Sequence, residues 1–175
     1  MGLSLASGAY INFLDDDDLL FADHLEVLLT ELEGKRSSYM AAYSIGFEVK
    51  TRVLSTRPFL YEETGYRVAY EQPFDKTLLA RTNFIPINSI IFSRDLYLRE
   101  GGFDEMLDVL EDWDLWRRYS QRTDFLFVEK LTCLYRVPSD PKVVMLRQRK
   151  LDDERQRIIA TALEHSTDKF LRPSE

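Results

Sequence analysis

The chain has 175 residues but a single cysteine, Cys133, and only two histidines, His24 and His165. One cysteine cannot close an internal disulfide, so a reducing compartment is expected. In the apolar run LTCLY, Cys133 reads as a buried structural thiol. No apolar run approaches the roughly 20 residues needed to span a bilayer. Met1–Ala9 lacks the basic stretch of a signal peptide. Basic charge is also short: 23 Lys and Arg stand against 30 Asp and Glu, a net charge of −7. That balance argues against nucleic acid as a partner, because a phosphate backbone needs clustered cations. There is no internal repeat, and the only low-complexity stretch is a run of aspartates. The rest is ordinary for one soluble domain with one core, with 45% apolar and 30% charged residues. Aromatics, at 13%, are numerous enough for broad packed surfaces or ring platforms.

Residues 9–14, AYINFL, form a short apolar run that suits a buried strand and ends in Asp15, Asp16, Asp17 and Asp18. The spacing of Leu25, Leu28, Leu29 and Leu32 predicts a helix over Leu19–Glu33, closed by Gly34. Clean alternation from Tyr39 to Val49 predicts a strand with one wet face. Residues 51–72 show no helical period and read as a loop with short strands, a flap turning at Glu62–Gly65. A short helix over Asp75–Arg81 precedes a strand over Phe84–Phe92. A second short helix, Arg94–Glu100, stops at Gly101-Gly102, and another runs from Glu111 to about Gln121. Strands over Phe125–Val128 and Leu131–Tyr135 lead to a charged helix over Val143–His165 and a frayed tail, Ser166–Glu175.

The aspartates carry chemistry. Four like charges in a row repel, which raises proton affinity and costs stability unless a cation intervenes. Carboxylates suit Mg²⁺ or Mn²⁺, and Mg²⁺ commonly takes one or two of them plus substrate phosphates. The competing reading is an acidic loop capping the next helix. A cluster at the carboxyl end of a strand, just before a helix, lies where open α/β sheets bind ligands. Haloacid-dehalogenase-like phosphatases also place aspartates there, as DxDx[TV], but Leu19 fails the last position.

A second constellation lies downstream: Gly101-Gly102-Phe103-Asp104-Glu105, then Glu111-Asp112-Trp113-Asp114-Leu115-Trp116. Together with ASGAYINFLDDDD, these motifs resemble glycosyltransferase family 2, in order and rough spacing, over about Ser7–Arg136. The resemblance implies an α/β protein of the GT-A (nucleotide-diphospho-sugar transferase) fold, with a mixed sheet flanked by helices. It implies a divalent metal, Mn²⁺ or Mg²⁺, held by the DxD pair Asp15 and Asp17. Asp17 would be the direct ligand, and Asp16 and Asp18 would sit on the donor side. Asp112 would be the general base on the acceptor hydroxyl, with Glu111 orienting it or binding acceptor. Inverting transfer needs little more than one base and one neutralised leaving group. The donor would be a nucleotide sugar, with a UDP-sugar as first expectation, and the acceptor a glycan or glycolipid of surface polysaccharide synthesis. The protein would work in the cytoplasm, peripheral to the inner face of the membrane.

Other residues keep two readings. Gly101 and Gly102 either stop a helix or let backbone approach the donor sugar. Trp113 and Trp116, at i,i+3, are core packing or the floor of an acceptor site. Asn88, beside Ser89, is an edge feature or an acceptor contact. Tyr135-Arg136 resembles the family's "YR", where Arg136 could meet the diphosphate. Val137-Pro138 stand where some members have a histidine, a departure that puts a histidine metal ligand in doubt, and His24 reads as structural or exposed. Phe103 reads as core. The family's nucleotide-recognising strand–helix–strand–helix block has no counterpart before the acidic strand. The expectation is thus a partial GT-A domain over 1–140 and a C-terminal helix and tail over 141–175. Its open sheet edge would be covered by a homodimer or by a partner supplying the missing half. A remnant that binds without catalysis is the alternative function.

Overall fold

The computed structural model describes residues 2–171, with side chains through Ala160. After a single turn, α1 (Gly2–Leu5), come β1 (Tyr10–Asn12), β2 (Leu19–Leu20), α2 (His24–Gly34), β3 (Ala41–Thr56) and β4 (Phe59–Ala69). Then follow α3 (Lys76–Leu79), β5 (Ile90–Ser93), α4 (Arg94–Glu100), α5 (Glu111–Tyr119), β6 (Phe125–Pro138) and α6 (Pro141–Leu171). The strands form one mixed sheet in the order β1-β5-β3-β6-β2, with β4 paired to β3. Among the described residues only β3 and β6 run parallel.

The central strands alternate between two cores. Ala41 and Tyr43 of β3, Phe92 of β5 and Phe125 of β6 join Trp113, Trp116 and Tyr119 of α5. Their neighbours Ala42, Ile91 and Leu126 pack against Leu28 and Leu32 of α2. Both faces are therefore covered, and the wet face expected for residues 39–49 does not exist: every residue from Ala41 to Gly46 is buried. The Phe92 ring meets Trp116 and Tyr119 edge-on, at 5.8 and 5.2 Å between centroids, the geometry that aromatic quadrupoles favour. Cys133 is buried, as its setting suggested, with Sγ 3.9 Å from the Ile45 carbonyl.

Several expected boundaries move, each for a backbone reason. The helix expected from Leu19 begins at His24, because Leu19 and Leu20 pair with Leu134 and Cys133 of β6. Leu25 consequently points outward, while Leu28 and Leu32 are fully buried. The strand expected over Phe84–Phe92 is confined to Ile90–Ser93, because Ile87–Ser89 coils into a 3₁₀ turn closed on the Pro86 carbonyl. The two strands expected in 125–135 are one, with bulges absorbing Glu129, Lys130 and Thr132. The largest difference is the presumed flap. Residues 51–69 are the outer part of β3 and the whole of β4, a long hairpin turning at Arg57-Pro58, and Gly65 lies inside a strand opposite Lys50. Both faces of this hairpin are largely exposed, so no buried face imposed an alternating pattern. The helix α6 begins at Pro141 and its backbone continues through Leu171, so 166–171 is helical. The rest of the expected frayed tail, and the side chains of Leu163 and His165, lie outside the described residues.

One ion pair pins the hairpin to the sheet. Glu48 is buried and takes a two-pronged contact from Arg67 of β4, both bonds 2.7 Å, plus the Tyr135 hydroxyl at 2.9 Å. Burial alone would raise its pKa, but the Arg67 and Tyr135 hydrogen bonds outweigh this and hold the carboxylate below its usual range. Arg67→Ala should destabilise the fold by about 1–3 kcal/mol, because a buried carboxylate loses its main partner while solvent screens part of the loss. The depressed pKa means the pair contributes above the unfolded-state pKa and is lost as pH falls through the folded value. Urea unfolding of the variant should therefore differ from wild type at neutral pH and converge with it in acid.

Candidate active site

The carboxyl ends of β1 and β6, the loop before β5, the start of α5 and one side of α6 enclose a cleft of about 730 Å³. Asp15, Asp17 and Asp18 line it from the turn between β1 and β2; Asp108, Glu111 and Asp112 line it from the start of α5. The two acidic groups, almost a hundred residues apart in sequence, thus share one concavity. Asp16 is exposed on the same turn but does not line the cleft.

The acidic turn is held from below and from the side. Asp18 is buried, and its Oδ1 accepts the Arg136 backbone N–H at 2.9 Å. Arg136 also donates from Nη1 to the Asp17 carbonyl. Its guanidinium lies 5.6 Å from the Tyr61 ring centre and 3.5 Å from Glu63. Beneath the turn runs a buried polar chain. His24 Nδ1 lies 2.7 Å from Thr132 Oγ1, which lies 2.6 Å from Ser44 Oγ. Asn12 closes the floor by donating to the Ile90 carbonyl at 2.8 Å. His24 is therefore structural and buried, its pKa lowered chiefly by desolvation. Desolvation first, then Asp17 and Asp15, push the Asp18 pKa up to about 6 against the opposing Arg136 hydrogen bond. Asp15 is also raised, by partial burial and then by Asp17 and Asp16.

Asp112 sits in the first turn of α5, where helix geometry leaves N–H groups unpaired. Its Oδ1 accepts the Trp113 N–H at 2.7 Å and its Oδ2 accepts the Asn83 side-chain amide at 2.9 Å. Asn83 is fixed in that orientation because its oxygen accepts the Ile85 N–H at 3.1 Å. Desolvation and the neighbouring Glu111 push the Asp112 pKa up to about 6, while the Trp113 and Asn83 bonds restrain it. A carboxylate with that affinity is ionised at neutral pH yet able to take a proton. The residue before the pair, Leu110, is left-handed at φ 62°, and so is Tyr70 across the cleft. Each costs roughly 1–2 kcal/mol for a non-glycine residue, and the only two such residues described both border this cleft.

Three expectations meet different geometry. Trp113 cannot floor an acceptor site with an open ring face: its indole is fully buried, its N–H donates to the Leu79 carbonyl at 2.7 Å, and Arg117 covers it at 5.1 Å. Gly101 and Gly102 do not line the cleft. Gly101 ends α4 at φ 80°, its carbonyl accepts from the Tyr119 hydroxyl, and the Gly102 carbonyl accepts from Arg118. What the turn does supply is Phe103, Asp104 and Glu105, which line a smaller cavity of about 350 Å³ sharing Asp15 and Glu111 with the cleft. Asn88 is no edge residue. It is buried at the cleft wall, donates to the Leu134 carbonyl at 2.9 Å, and leaves Oδ1 without a partner. Arg136 Nε is likewise buried without a partner.

Some cleft residues left no mark in the motifs. Asn83 was invisible because its role depends on the fold bringing residue 83 to 112. Arg147 and Arg155 line the cleft from α6 together with Gln148, Leu151 and Asp152. Their i,i+4 and i,i+8 spacing on one helical stripe was the available signal.

Two measurements check this electrostatic reading. Asp18→Asn keeps an oxygen for the Arg136 N–H but removes a charge. Because the native pKa is raised, the native state binds more protons, so stability falls as pH rises from about 4 to about 6. The variant should be more stable than wild type by on the order of 2 kcal/mol at about pH 8 and indistinguishable below about pH 4 in thermal unfolding. Carboxyl NMR titration should find Asp112 near 6, and Asn83→Leu should move it higher, because the lost bond favoured the charged form.

A family model described as "Glycosyltransferase like family 2" matches residues 1–147. No curated protein matches the chain. The mixed sheet with helices on both faces agrees with the fold which that family implies. With the match covering most of the chain and the two acidic motifs meeting in one cleft, the chain belongs to glycosyltransferase-like family 2.

Proposed function

We propose that the cleft performs an inverting, metal-dependent transfer of a sugar from a nucleotide diphosphate to a hydroxyl acceptor. The observation that carries this reading is the joint placement of Asp15, Asp17 and Asp112 on one concavity, with Asp112 poised near 6. In the step, the acceptor oxygen bonds to the anomeric carbon while the bond from that carbon to the diphosphate oxygen breaks. The electron pair leaves with the nucleoside diphosphate, and the hydroxyl proton passes to Asp112. Asn83 holds Asp112 so that one oxygen stays oriented. Glu111, half-buried beside it, keeps its proton affinity high.

The donor set fits a hard divalent cation, Mn²⁺ or Mg²⁺. Asp15 and Asp17 are exposed at the cleft, and Asp15 and Asp18 both carry raised proton affinity, chiefly from desolvation and then from the neighbouring aspartates. Among the described residues no three His, Cys, Asp or Glu side chains form a closed cage. Such a site suits an ion that draws its remaining ligands from substrate phosphates and water. Asp17 and Asp15 would hold it, and its chemistry there would be to neutralise the leaving diphosphate. Arg136 supports the same end of the donor, since its guanidinium stands at the cleft beside Asp17. Cytoplasmic work on surface glycans and a UDP-sugar donor remain the natural setting for such a site.

Calorimetry with UDP-sugars in Mn²⁺, alongside a hydrolysis or transfer assay, separates the roles. Asp17→Ala should lose at least tenfold in donor affinity and become insensitive to Mn²⁺. Asp112→Asn should keep donor affinity but lose turnover by 10²–10⁴-fold, the usual contribution of a general base. In wild type, kcat/KM should drop as pH falls below about 6, when Asp112 takes up a proton. Equal Mn²⁺-dependent affinity in wild type and Asp17→Ala would remove the metal assignment.

A further inference from the structure

The outer hairpin and the start of α6 each expose several large apolar side chains in a row. Val53, Leu54, Phe59, Leu60 and Tyr61 surround the turn at Arg57-Pro58, with Leu54 59% and Phe59 64% exposed. At the start of α6, Val143, Val144, Met145 and Leu146 are exposed, Leu146 at 62%. The two segments begin side by side: Thr51 pairs with Pro138, and the Ser139 N–H donates to the Thr51 carbonyl at 2.7 Å. Beyond Thr51 the hairpin has no strand of β6 beside it. At about 3.3 Å per residue, its outer arm to Thr56 reaches some 15 Å past that junction.

The charge of these segments selects the occupant. The protein as a whole is acidic, at −7, but residues 53–61 hold Arg57 and no acid. Residues 141–150 hold Lys142, Arg147, Arg149 and Lys150 and no acid. On the helix, Arg147 belongs to the cleft stripe. At 100° per residue, Lys142, Leu146 and Arg149 fall on the opposite stripe. Lys150 instead turns back to Asp108 at 3.3 Å. Protruding aromatic and aliphatic side chains beside basic ones match the boundary between headgroups and acyl chains. Lysine and arginine there are drawn to anionic lipid. A second copy of the chain fits less well, since a two-fold interface would set the same basic segments against each other.

We propose that the tip of the β3–β4 hairpin and the outward stripe of early α6 form a docking surface for an anionic lipid bilayer. The hairpin supplies apolar insertion through Leu54, Phe59 and Leu60, and the helix supplies headgroup contacts through Lys142 and Arg149. This surface is separate from the cleft carboxylates, so its test needs no enzymatic activity.

Co-sedimentation of the full chain with phosphatidylcholine vesicles, with and without phosphatidylglycerol, reads the proposal. Wild type should partition onto the anionic vesicles and be released by high salt. Phe59→Ser/Leu60→Ser should weaken partitioning at least tenfold. Lys142→Glu/Arg149→Glu should remove the preference for anionic lipid, each lost cation being worth roughly fivefold. Both residue pairs are exposed, and circular dichroism with analytical ultracentrifugation checks that the variants keep their fold. Absence of wild-type binding to either vesicle overturns the proposal. So does vesicle binding that both double variants retain. A wild-type dimer that Phe59→Ser/Leu60→Ser converts to monomer, without any vesicle binding, would reassign the surface to self-association.

Discussion

The hydrogen bond from the Arg136 backbone N–H to Asp18, at 2.9 Å, joins the last sheet strand to the acidic turn. It adds to the pairing of Leu19 and Leu20 with the same strand, and it is the bond that turns the Asp18 carboxylate inward. Four consecutive carboxylates favour separation and hydration, yet Asp18 is buried with a pKa pushed up to about 6. Arg136 opposes that tendency twice, through its main chain to Asp18 and through its side chain to the Asp17 carbonyl. The same residue spans to Tyr61 and Glu63 of the hairpin. One position on β6 therefore couples the sheet, the carboxylates and the outer hairpin.

The opposite wall obeys the same constraint by other means. Asp112 is kept in a desolvated setting beside Glu111, and its charge is made tolerable by Asn83 and the helix N–H of Trp113. Both walls thus retain negative charge under restraint. The left-handed Leu110 and Tyr70 add backbone strain at the rim. A protein selected for stability alone would relieve these features with neutral residues, and their concentration at one cleft is what physical reasoning expects of a working site.

How much of this was legible depended on whether the signal was local. The aspartate run, the Gly101–Glu105 turn and the Glu111–Trp116 helix start are contiguous patterns, and they placed the carboxylates on a strand end and a helix start. The helices α4 and α5 were also readable, since a glycine stop and an acidic first turn mark their ends. The hairpin was not, because strands exposed on both faces carry no alternation. The wet face assigned to residues 39–49 failed for the converse reason: small and polar residues such as Ala42 and Ser44 are buried under α2 or in the Thr132 network. Asn83 and the α6 arginines escaped because their meaning lies in long-range proximity. Trp113 and Trp116 kept two readings because an i,i+3 tryptophan pair looks the same whether its rings face a ligand or the core, and burial decides for the core.

The cleft is unevenly supported. Its floor rests on fully buried strands and on the His24–Thr132–Ser44 chain, where any displacement would leave buried polar groups unpaired. Its far wall is α6, whose residues 141–150 are all exposed and whose buried anchors among the described residues are Glu154 and Ile158. Local stability follows buried contact, so rearrangement around a substrate costs least on the side of Arg147 and Arg155 and most on the side of the aspartates. The rigid side is the one that must hold like charges together. The side free to adjust carries cations, which an anionic substrate can draw inward without disturbing the carboxylates.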